Sequence, residues 1–499
     1  MSEQFDLVII GAGPGGYSTA LRAAELGMKV ALVERDATVG GTCLNRGCIP
    51  SKALITATHP IDTVHRAAEL GVNASVNGID FGTLRDYRLR VVKTMVGGLA
   101  GLLAHRGITV FRANAAFHAD ETAPATSNQS DFFCCNFIFP DQSDILTYHK
   151  ADVPEPSGPT MDLTATNIVI ATGAKPRPLP GNPFAGALID STQALEVNEF
   201  PSSAVIIGAG AIALEFASMW NAAGSKVTLL IRKDRVLSAW DRRAGTTLTR
   251  ELKRHGVNII TRASVTHVDT GANLGATVHY TREGQDGEQS VRGEIALVAI
   301  GRDPITDPAW GVTIDDHGHV ATDAYGRTDK PGVWAVGDVT AGHALAHRAF
   351  EQGIVIAETI AGLNPKPVDE ATVPQIVFSF PEAASVGLTV EQAQAREDLI
   401  EIKETNYPML ANARMLMSGT AGSLTIVSGC DAANPDTPRV LGVHMVSQMA
   451  SDIIAEAEQL VGNHVPLADA ARLVHPHPTF SETLGEALLK ADGRPLHTR

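Results

Sequence analysis

The sequence has no run of ~18 uninterrupted apolar residues, the length that a membrane-spanning helix needs. Its opening, MSEQFDLVIIGAGPGG, has no basic segment ahead of its apolar stretch, which enters a glycine loop at once. It does not read as a secretory signal. Cysteine is scarce: Cys43, Cys48, Cys134, Cys135 and Cys430 are the only ones among 499 residues. So few, so unevenly spaced, do not make a secreted disulfide framework. Positive charge is in deficit, with 40 Lys and Arg against 55 Asp and Glu and a net charge of −15. That balance argues against nonspecific nucleic-acid binding and against adhesion to anionic membranes. The expectation is a soluble, cytoplasmic protein with neither nucleic acid nor membrane as partner. What remains is an ordinary globular composition, 44% hydrophobic and 19% charged, over a length that fits about three domains.

The first organised segment runs from Asp6 to Glu34. Leu7–Ile10 read as a buried strand, Gly11-x-Gly13-x-x-Gly16 as a loop, and the small and apolar residues through Leu26 as a helix stopped by Gly27. Lys29–Val33 read as a second strand ending at Glu34. A glycine loop between strand and helix lets backbone N–H groups approach a pyrophosphate, and the helix N-terminus favours its charge. Glu34 stands where a carboxylate would bind ribose hydroxyls. A bare GxGxxG is a weak signal; strand, helix, strand and terminal acid together are a strong one.

The unit recurs. Val205–Ile207 are the strand, Gly208-Ala209-Gly210 the loop, and Val227–Leu230 the returning strand after Gly224. Two Rossmann units suggest two dinucleotides, a flavin and a nicotinamide, although one site and one decayed copy would leave the same pattern. Ala213 replaces the third glycine, and Ile231 stands where the first copy has Glu34. Ile231 cannot hydrogen-bond a ribose hydroxyl, and Arg232 beside it can pair with a 2′-phosphate. That leans toward NADP over NAD. The plainer reading is a solvated Arg232, since Arg35 occupies the same place in the first copy.

GGTCLNRGCIPSK, residues 40–52, follows directly. Cys-x4-Cys at the start of a helix can bring two sulfurs into bonding range, and the helix N-terminus stabilises a thiolate. A flavin alongside could exchange electrons with the nearer sulfur. No other ligands lie close in sequence, so a metal site is not expected.

This segment closely resembles the active-site stretch of the pyridine nucleotide–disulfide oxidoreductase family, and the likeness spans nearly the whole chain. It includes Ala171-Thr172-Gly173, Ile300-Gly301-Arg302, residues 333–338 (VWAVGD), residues 346–349 (AHRA), residues 381–389 (PEAASVGLT) and residues 475–479 (HPHPT). The resemblance implies an α/β fold with two Rossmann-like FAD- and NAD(P)-binding domains and a C-terminal α+β dimerisation domain. It implies that Cys48 faces FAD as a charge-transfer thiolate while Cys43 exchanges with the substrate. Lys52 would lie near the flavin ring and pair with Glu215, beside the nicotinamide. Asp338 would bind the ribityl chain, and Thr42, Ala115, Gly173 and Ala346 would complete the FAD site with the first glycine loop and Glu34. Gly208, Gly210, Glu215, Ile231, Arg232 and Gly301 would serve NAD, or NADP.

Thiol chemistry needs a base titrating near neutrality, and histidine is the natural one. Alone, His475-Pro476-His477-Pro478 reads as a stiff loop. The resemblance makes His477 the base and Glu482 its carboxylate partner, with His475 in support. It further implies that this pair serves the cysteines of a second subunit, hence an obligate homodimer. The implied limits are 1–174 and 300–368 for the FAD domain, 175–299 for the nicotinamide domain and 369–499 for dimerisation.

Within the family, residues 40–54, residues 97–103 (GGLAGLL) and residues 451–457 (SDIIAEA) are most similar to the branch that oxidises dihydrolipoyl groups. The expected partner is then a lipoyl-bearing 2-oxo acid dehydrogenase or glycine-cleavage protein. The alternative is an NADPH-dependent reductase of a small disulfide of the glutathione type, supported by Ile231-Arg232 with Lys233 and Arg235. A non-catalytic scaffold role fits poorly with Cys43, Cys48, His477 and Glu482 all in place. Residues 119–162 depart from the family: the stretch is enlarged and turn-rich, with a candidate strand at Phe132–Phe139. Cys134 and Cys135 lie in it; neighbours in sequence rarely bridge, so a structural role is expected for both. Cys430 reads as core.

Overall fold

The computed structural model describes residues 3–118, 133–138, 160–271 and 275–498. They form two compact units. The first comprises Met1–Ala53, Arg85–Lys175 and Arg302–Glu370; the second comprises Leu54–Leu84, Pro176–Gly301 and Ala371–Arg499. The expected nicotinamide and dimerisation segments thus share a unit.

The first unit is built on β1 (Glu3–Ile10), α1 (Pro14–Glu25), β2 (Val30–Glu34), α2 (Gly41–Arg46), the first residues of α3 (Cys48–Arg66), which from Leu54 on belongs to the second unit, most of α4 (Phe81–His105), β3 (Thr109–Arg112), β4 (Asn114–His118), β5 (Phe133–Ile138) and β6 (Thr160–Ile170). The strand order is β3-β2-β1-β6-β5-β4, and strand Val333–Ala335 also pairs with β6. The β1, β2, β3 and 333–335 pairings are parallel, whereas β4, β5 and β6 form antiparallel pairs. The candidate strand at 132–139 is therefore real over 133–138. The side chains of Cys134 and Cys135 lie outside the described residues.

Parallel strands are covered on both faces, so they read as continuous apolar runs. In β1, Val8 and Ile10 join one buried cluster with Val33, Ile168 and Val320. Leu7 and Ile9 join another with Ala20, Leu32 and Leu103. Alternate residues point to opposite faces, and each face of this sheet has its own core. Helix α1 starts with Pro14 at its first turn, where the missing N–H costs nothing. It packs on helix Ala346–Ile360, where Gly353 allows contact: a Cβ there would lie 2.3 Å from Ser18 Oγ.

The second unit holds three sheets. Five parallel strands run in the order Asn258–Thr261, Lys226–Ile231, Ser203–Ile207, Ile295–Val298, Leu188–Ile189. Three antiparallel strands, Ala263–Gly271, Gly275–Arg282 and Gln289–Gly293, make a small separate sheet. The third is antiparallel, in the order Gln375–Val377, Glu382–Gly387, Asn434–Ser447, Ser423–Asp431, Leu399–Tyr407. Helices Ala450–Gly462 and Glu482–Ala491 pack on it through Ile454, Leu460, Leu484 and Leu488. Cys430 is fully buried in this sheet, as expected of a core residue.

Candidate active site

The first glycine loop is forced by close approach. Gly11 has φ +105°, and a Cβ on it would lie 2.3 Å from the carbonyl oxygen of Ala171. A Cβ on Gly16 would lie 1.8 Å from the oxygen of Gly11. Only glycine fits at either position, and the backbone it exposes opens onto the α1 N-terminus, an anion-binding geometry. Glu34 is buried at the end of β2; Oε2 accepts from Ala12 N at 2.8 Å and Oε1 from Asp36 N at 2.9 Å. Its carboxylate is thereby tied to the loop, and burial pushes its carboxyl up from the usual range.

Gly40, at φ +104°, turns the chain into α2, and Gly47 separates α2 from α3. This places Cys43 on α2, half-buried, and Cys48 at the first position of α3, exposed. Both are in the thiol form. The thiol of Cys43 is pushed strongly up, first by its hydrogen bond with Cys48, then by burial, against a downward pull from Lys52. Cys48 has the helix N-terminus, which favours thiolate. The pair is electrically asymmetric: the exposed sulfur stands at a helix N-terminus, and Cys43 is the one whose thiol is pushed up. Tyr17 on α1 is pushed to about 12 by burial and by the charge of Cys43 and Cys48, so its phenol stays protonated beside them.

Asp338 lies in the turn Gly337–Val339. Burial raises its carboxyl, while Arg302, 4.0 Å away, and Arg348 pull it down. Arg302 also donates to the carbonyl of Ala174. Thr42, Lys52, Ala115, Gly173 and Ala346 are all partly exposed in this same unit, and Ala346 opens helix Ala346–Ile360.

The second glycine loop repeats the first. Gly208 has φ +138°, and a Cβ on it would lie 2.2 Å from the oxygen of Ala299. Gly210 caps helix Ala211–Ala222. Ala213, in place of a third glycine, is fully buried in the core. Glu215 on the same helix is buried, and Oε1 accepts from Phe378 N at 3.2 Å. Gly301, at φ +128°, accepts from Arg177 N at 3.1 Å. Arg232 is exposed at the strand end. Ile231 is different: its side chain is wholly buried with Trp220 and Val236. The nucleotide contact expected of it is not available to that side chain, because the last inward position of a parallel strand belongs to the core.

The C-terminal pair closes. His477 Nδ1 lies 2.7 Å from Glu482 Oε2. The His477 side chain is 74% exposed and that of Glu482 only 14%. Such a carboxylate fixes the tautomer, leaving Nε2 as the atom that takes and returns a proton. Nothing in the sequence pointed to a third member. Asn412 is buried, donates through Nδ2 to Glu482 Oε1 at 2.8 Å and to the carbonyl of Thr479 at 3.0 Å, and accepts from Met415 N at 3.0 Å. Only its place as the cap of helix Ala413–Ser418 was open to sequence reading. His475 stands behind, with Nε2 2.8 Å from Glu456 Oε1 and its side chain 10% exposed. That contact raises its pKa. Gly485 makes the room: a Cβ there would lie 2.3 Å from His475 Nδ1.

Two glycine cradles, each opening a helix, and a dithiol beside one of them define a dinucleotide-dependent dithiol–disulfide oxidoreductase. The pyridine nucleotide-disulphide oxidoreductase family pattern matches residues 5–353 and that family's dimerisation domain matches residues 373–488, so the chain belongs to this family. It is 34% identical over 497 residues to a dihydrolipoyl dehydrogenase of Geobacillus stearothermophilus, covering 99% of this chain and 97% of that one. To the dihydrolipoyl dehydrogenase of Cupriavidus necator it is 35% identical over 512 residues, with both chains wholly covered. Among solved structures, LpdA from Mycobacterium tuberculosis superposes with a TM-score of 0.82 at 25% identity, covering 98% of this chain and 99% of the other. The HOCl-induced flavoprotein disulfide reductase RclA from Escherichia coli, as its Cu(II) complex, gives 0.77 at 26% identity, with 98% and 99% covered.

Family membership brings FAD and NAD(P) as cofactors, and the cradles fit them. The close approaches at Gly11 and Gly208 leave backbone where a pyrophosphate would lie. A dimerisation domain is present. Among the described residues no helix is long and apolar enough to cross a membrane.

Proposed function

We propose that the chain is a dihydrolipoyl dehydrogenase, oxidising the dihydrolipoyl group of a carrier protein to its cyclic disulfide. The observation that carries this reading is the His477–Glu482 contact at 2.7 Å, a base built to take a proton from a thiol. The curated relatives named above support it. The FAD domain would be 1–174 with 300–368, the nicotinamide domain 175–299 and the dimerisation domain 369–499.

The chemistry that FAD supplies when bound is two-electron exchange between the cysteine dithiol and the nicotinamide. Gly11, Gly13, Gly16, Glu34, Thr42, Lys52, Ala115, Gly173, Asp338 and Ala346 would hold it. Gly208, Gly210, Glu215, Arg232 and Gly301 would hold NAD(P).

With Cys43 and Cys48 as a disulfide, His477 Nε2 removes the proton from one substrate thiol. The resulting thiolate attacks Sγ of Cys43, forming a mixed disulfide and releasing Cys48 as thiolate. The second substrate thiol then attacks the substrate sulfur of that mixed disulfide, breaking its bond to Cys43 and passing its own proton to the departing Cys43 sulfur. The cyclic disulfide leaves, and His477 keeps the proton it took first, balancing the charge of the Cys48 thiolate. Two electrons now reside on the cysteine pair. Its asymmetry suits this outcome, with Cys43 protonated by preference and Cys48 at a helix start. The exposure of His477 suits a base offered to another molecule, the cysteine pair of the second subunit in a homodimer. The partner would be a lipoyl-bearing protein of a 2-oxo acid dehydrogenase or glycine-cleavage system, in the cytoplasm.

Steady-state assays test this: dihydrolipoamide with NAD+ and with NADP+, against glutathione disulfide with NADH and NADPH. Turnover of dihydrolipoamide with either nucleotide is expected. Reduction of glutathione disulfide by NADPH without any lipoamide turnover would overturn the reading.

A further inference from the structure

The small sheet of the second unit carries a cluster that the redox chemistry does not use. His267 and His279 are direct partners across strands Ala263–Gly271 and Gly275–Arg282. Their rings stack, with centroids 4.1 Å apart and planes 9° from parallel. Both Nδ1 atoms converge on one carboxylate. His267 Nδ1 lies 3.7 Å from Glu288 Oε1, and His279 Nδ1 lies 3.6 Å from Glu288 Oε2. Glu288 stands just before the third strand, and Thr266 Oγ1 donates to its Oε1 at 2.7 Å. On the far side of the ring, His279 Nε2 lies 3.1 Å from Asp269 Oδ2.

That contact holds Nε2, and the opposite nitrogen, Nδ1, faces Glu288. A cation placed between an imidazole nitrogen and a carboxylate oxygen is attracted to both. A histidine held by a carboxylate on one nitrogen and offering the other is a recurrent metal-ligand arrangement. Zn–N and Zn–O bonds of about 2.0–2.2 Å in tetrahedral geometry require ligand atoms about 3.3–3.5 Å apart. The candidate ligand atoms lie within 4.8 Å of one another, so one ion is reached when the two stacked rings tilt out of parallel and their Nδ1 atoms close on a shared point.

We propose that His267, His279 and Glu288 form a binding site for a divalent transition-metal ion of the Zn2+ type, with Asp269 orienting His279. Two imidazoles and one carboxylate suit Zn2+, Ni2+ or Cu2+ rather than Ca2+ or Mg2+, which require oxygen ligands. The side chains of His267 and Glu288 are 46% and 44% exposed, so water takes the fourth position. Sequence spacing hides the site, because the ligands meet only when the strands pair.

The experiment uses the full-length FAD-loaded enzyme in its oxidised form, so that the Cys43–Cys48 disulfide offers no thiolate. ZnCl2 is titrated calorimetrically into wild type, the double variant His267→Ala/His279→Ala, and Glu288→Gln, whose exposed side chain leaves the strand pairing intact. Wild type should bind one Zn2+ per chain more than the double variant. Glu288→Gln should bind it at least tenfold more weakly, and Asp269→Asn about 10–100-fold more weakly. All four should have equal dithiol turnover without metal. Zn2+ should raise the melting temperature of wild type and not of the double variant. Equal stoichiometry and affinity in wild type and Glu288→Gln would overturn the proposal.

Discussion

Asn412 donates to Glu482 Oε1 at 2.8 Å, and the other oxygen of that carboxylate lies 2.7 Å from His477 Nδ1. The base is therefore aimed by a buried amide one step removed, on a different element. Asn412 is a positioning residue, and Asn412→Asp separates this role from its role as a helix cap. Aspartate still accepts from Met415 N, so the cap and the melting temperature should hold. It cannot donate to Glu482, and it adds a like charge there. Dithiol turnover should fall about tenfold, a loss smaller than that of general acid–base catalysis as a whole. A cap alone would leave turnover unchanged while the fold holds; wild-type turnover in Asn412→Asp would confine Asn412 to structure.

The base itself has a sharper signature. His477→Ala should retain FAD and its visible spectrum, because the residue belongs to the second unit and not to the flavin cradle. Turnover of dihydrolipoamide should drop 10²–10⁴-fold, the range for removing a positioned acid–base group. Glu482→Gln should be milder, because the imidazole remains while the carboxylate that orients it is gone. Near-normal turnover in His477→Ala would remove it from the mechanism.

His475 gives a pH dependence of stability rather than of rate. Its contact with Glu456 raises its folded pKa above the ordinary value of about 6.5. The folded state then binds the proton more tightly than the unfolded chain does. That stabilisation is fully present below about pH 6.5 and disappears as pH rises through the raised folded value. In Glu456→Gln it should be absent. The melting temperatures of wild type and variant should differ most near pH 6, with Glu456 ionised and His475 protonated, and converge toward pH 9. A constant difference across that range would show that the contact is packing and not charge.

Both glycine loops and the cysteine motif were legible in the sequence because each is local, whereas the His477–Glu482 pair came only from the family resemblance. Asp6 through Glu34 spans one strand–helix–strand unit, and four residues separate Cys43 from Cys48. What the sequence hid is non-local. Asn412 reaches Glu482 across a different element, and His267 meets His279 through strand pairing. The burial of Ile231 was also hidden. Comparison with Glu34 suggested a contact position, but Glu34 turns its carboxylate to the loop whereas Ile231 turns inward to Trp220. Alignment of two copies gives the place of a residue and not the direction of its side chain.

The two cradles should fail separately. A Cβ on Gly11 would meet the oxygen of Ala171 at 2.3 Å, and one on Gly208 would meet that of Ala299 at 2.2 Å. In each case the obstacle is backbone of a neighbouring sheet segment, which cannot swing aside as a side chain can. Alanine at positive φ adds roughly 1–2 kcal/mol of its own. In Gly11→Ala the loop must shift and take the Ala12 N–Glu34 contact with it, so the purified protein should lose most of its flavin absorbance. Gly208→Ala leaves that cradle alone. It should keep FAD and reduce it with dihydrolipoamide in a single turnover, while the KM for the nicotinamide nucleotide rises at least tenfold. Loss of flavin from Gly208→Ala, or unchanged nucleotide affinity in it, would mean that the second loop does not hold the nicotinamide partner.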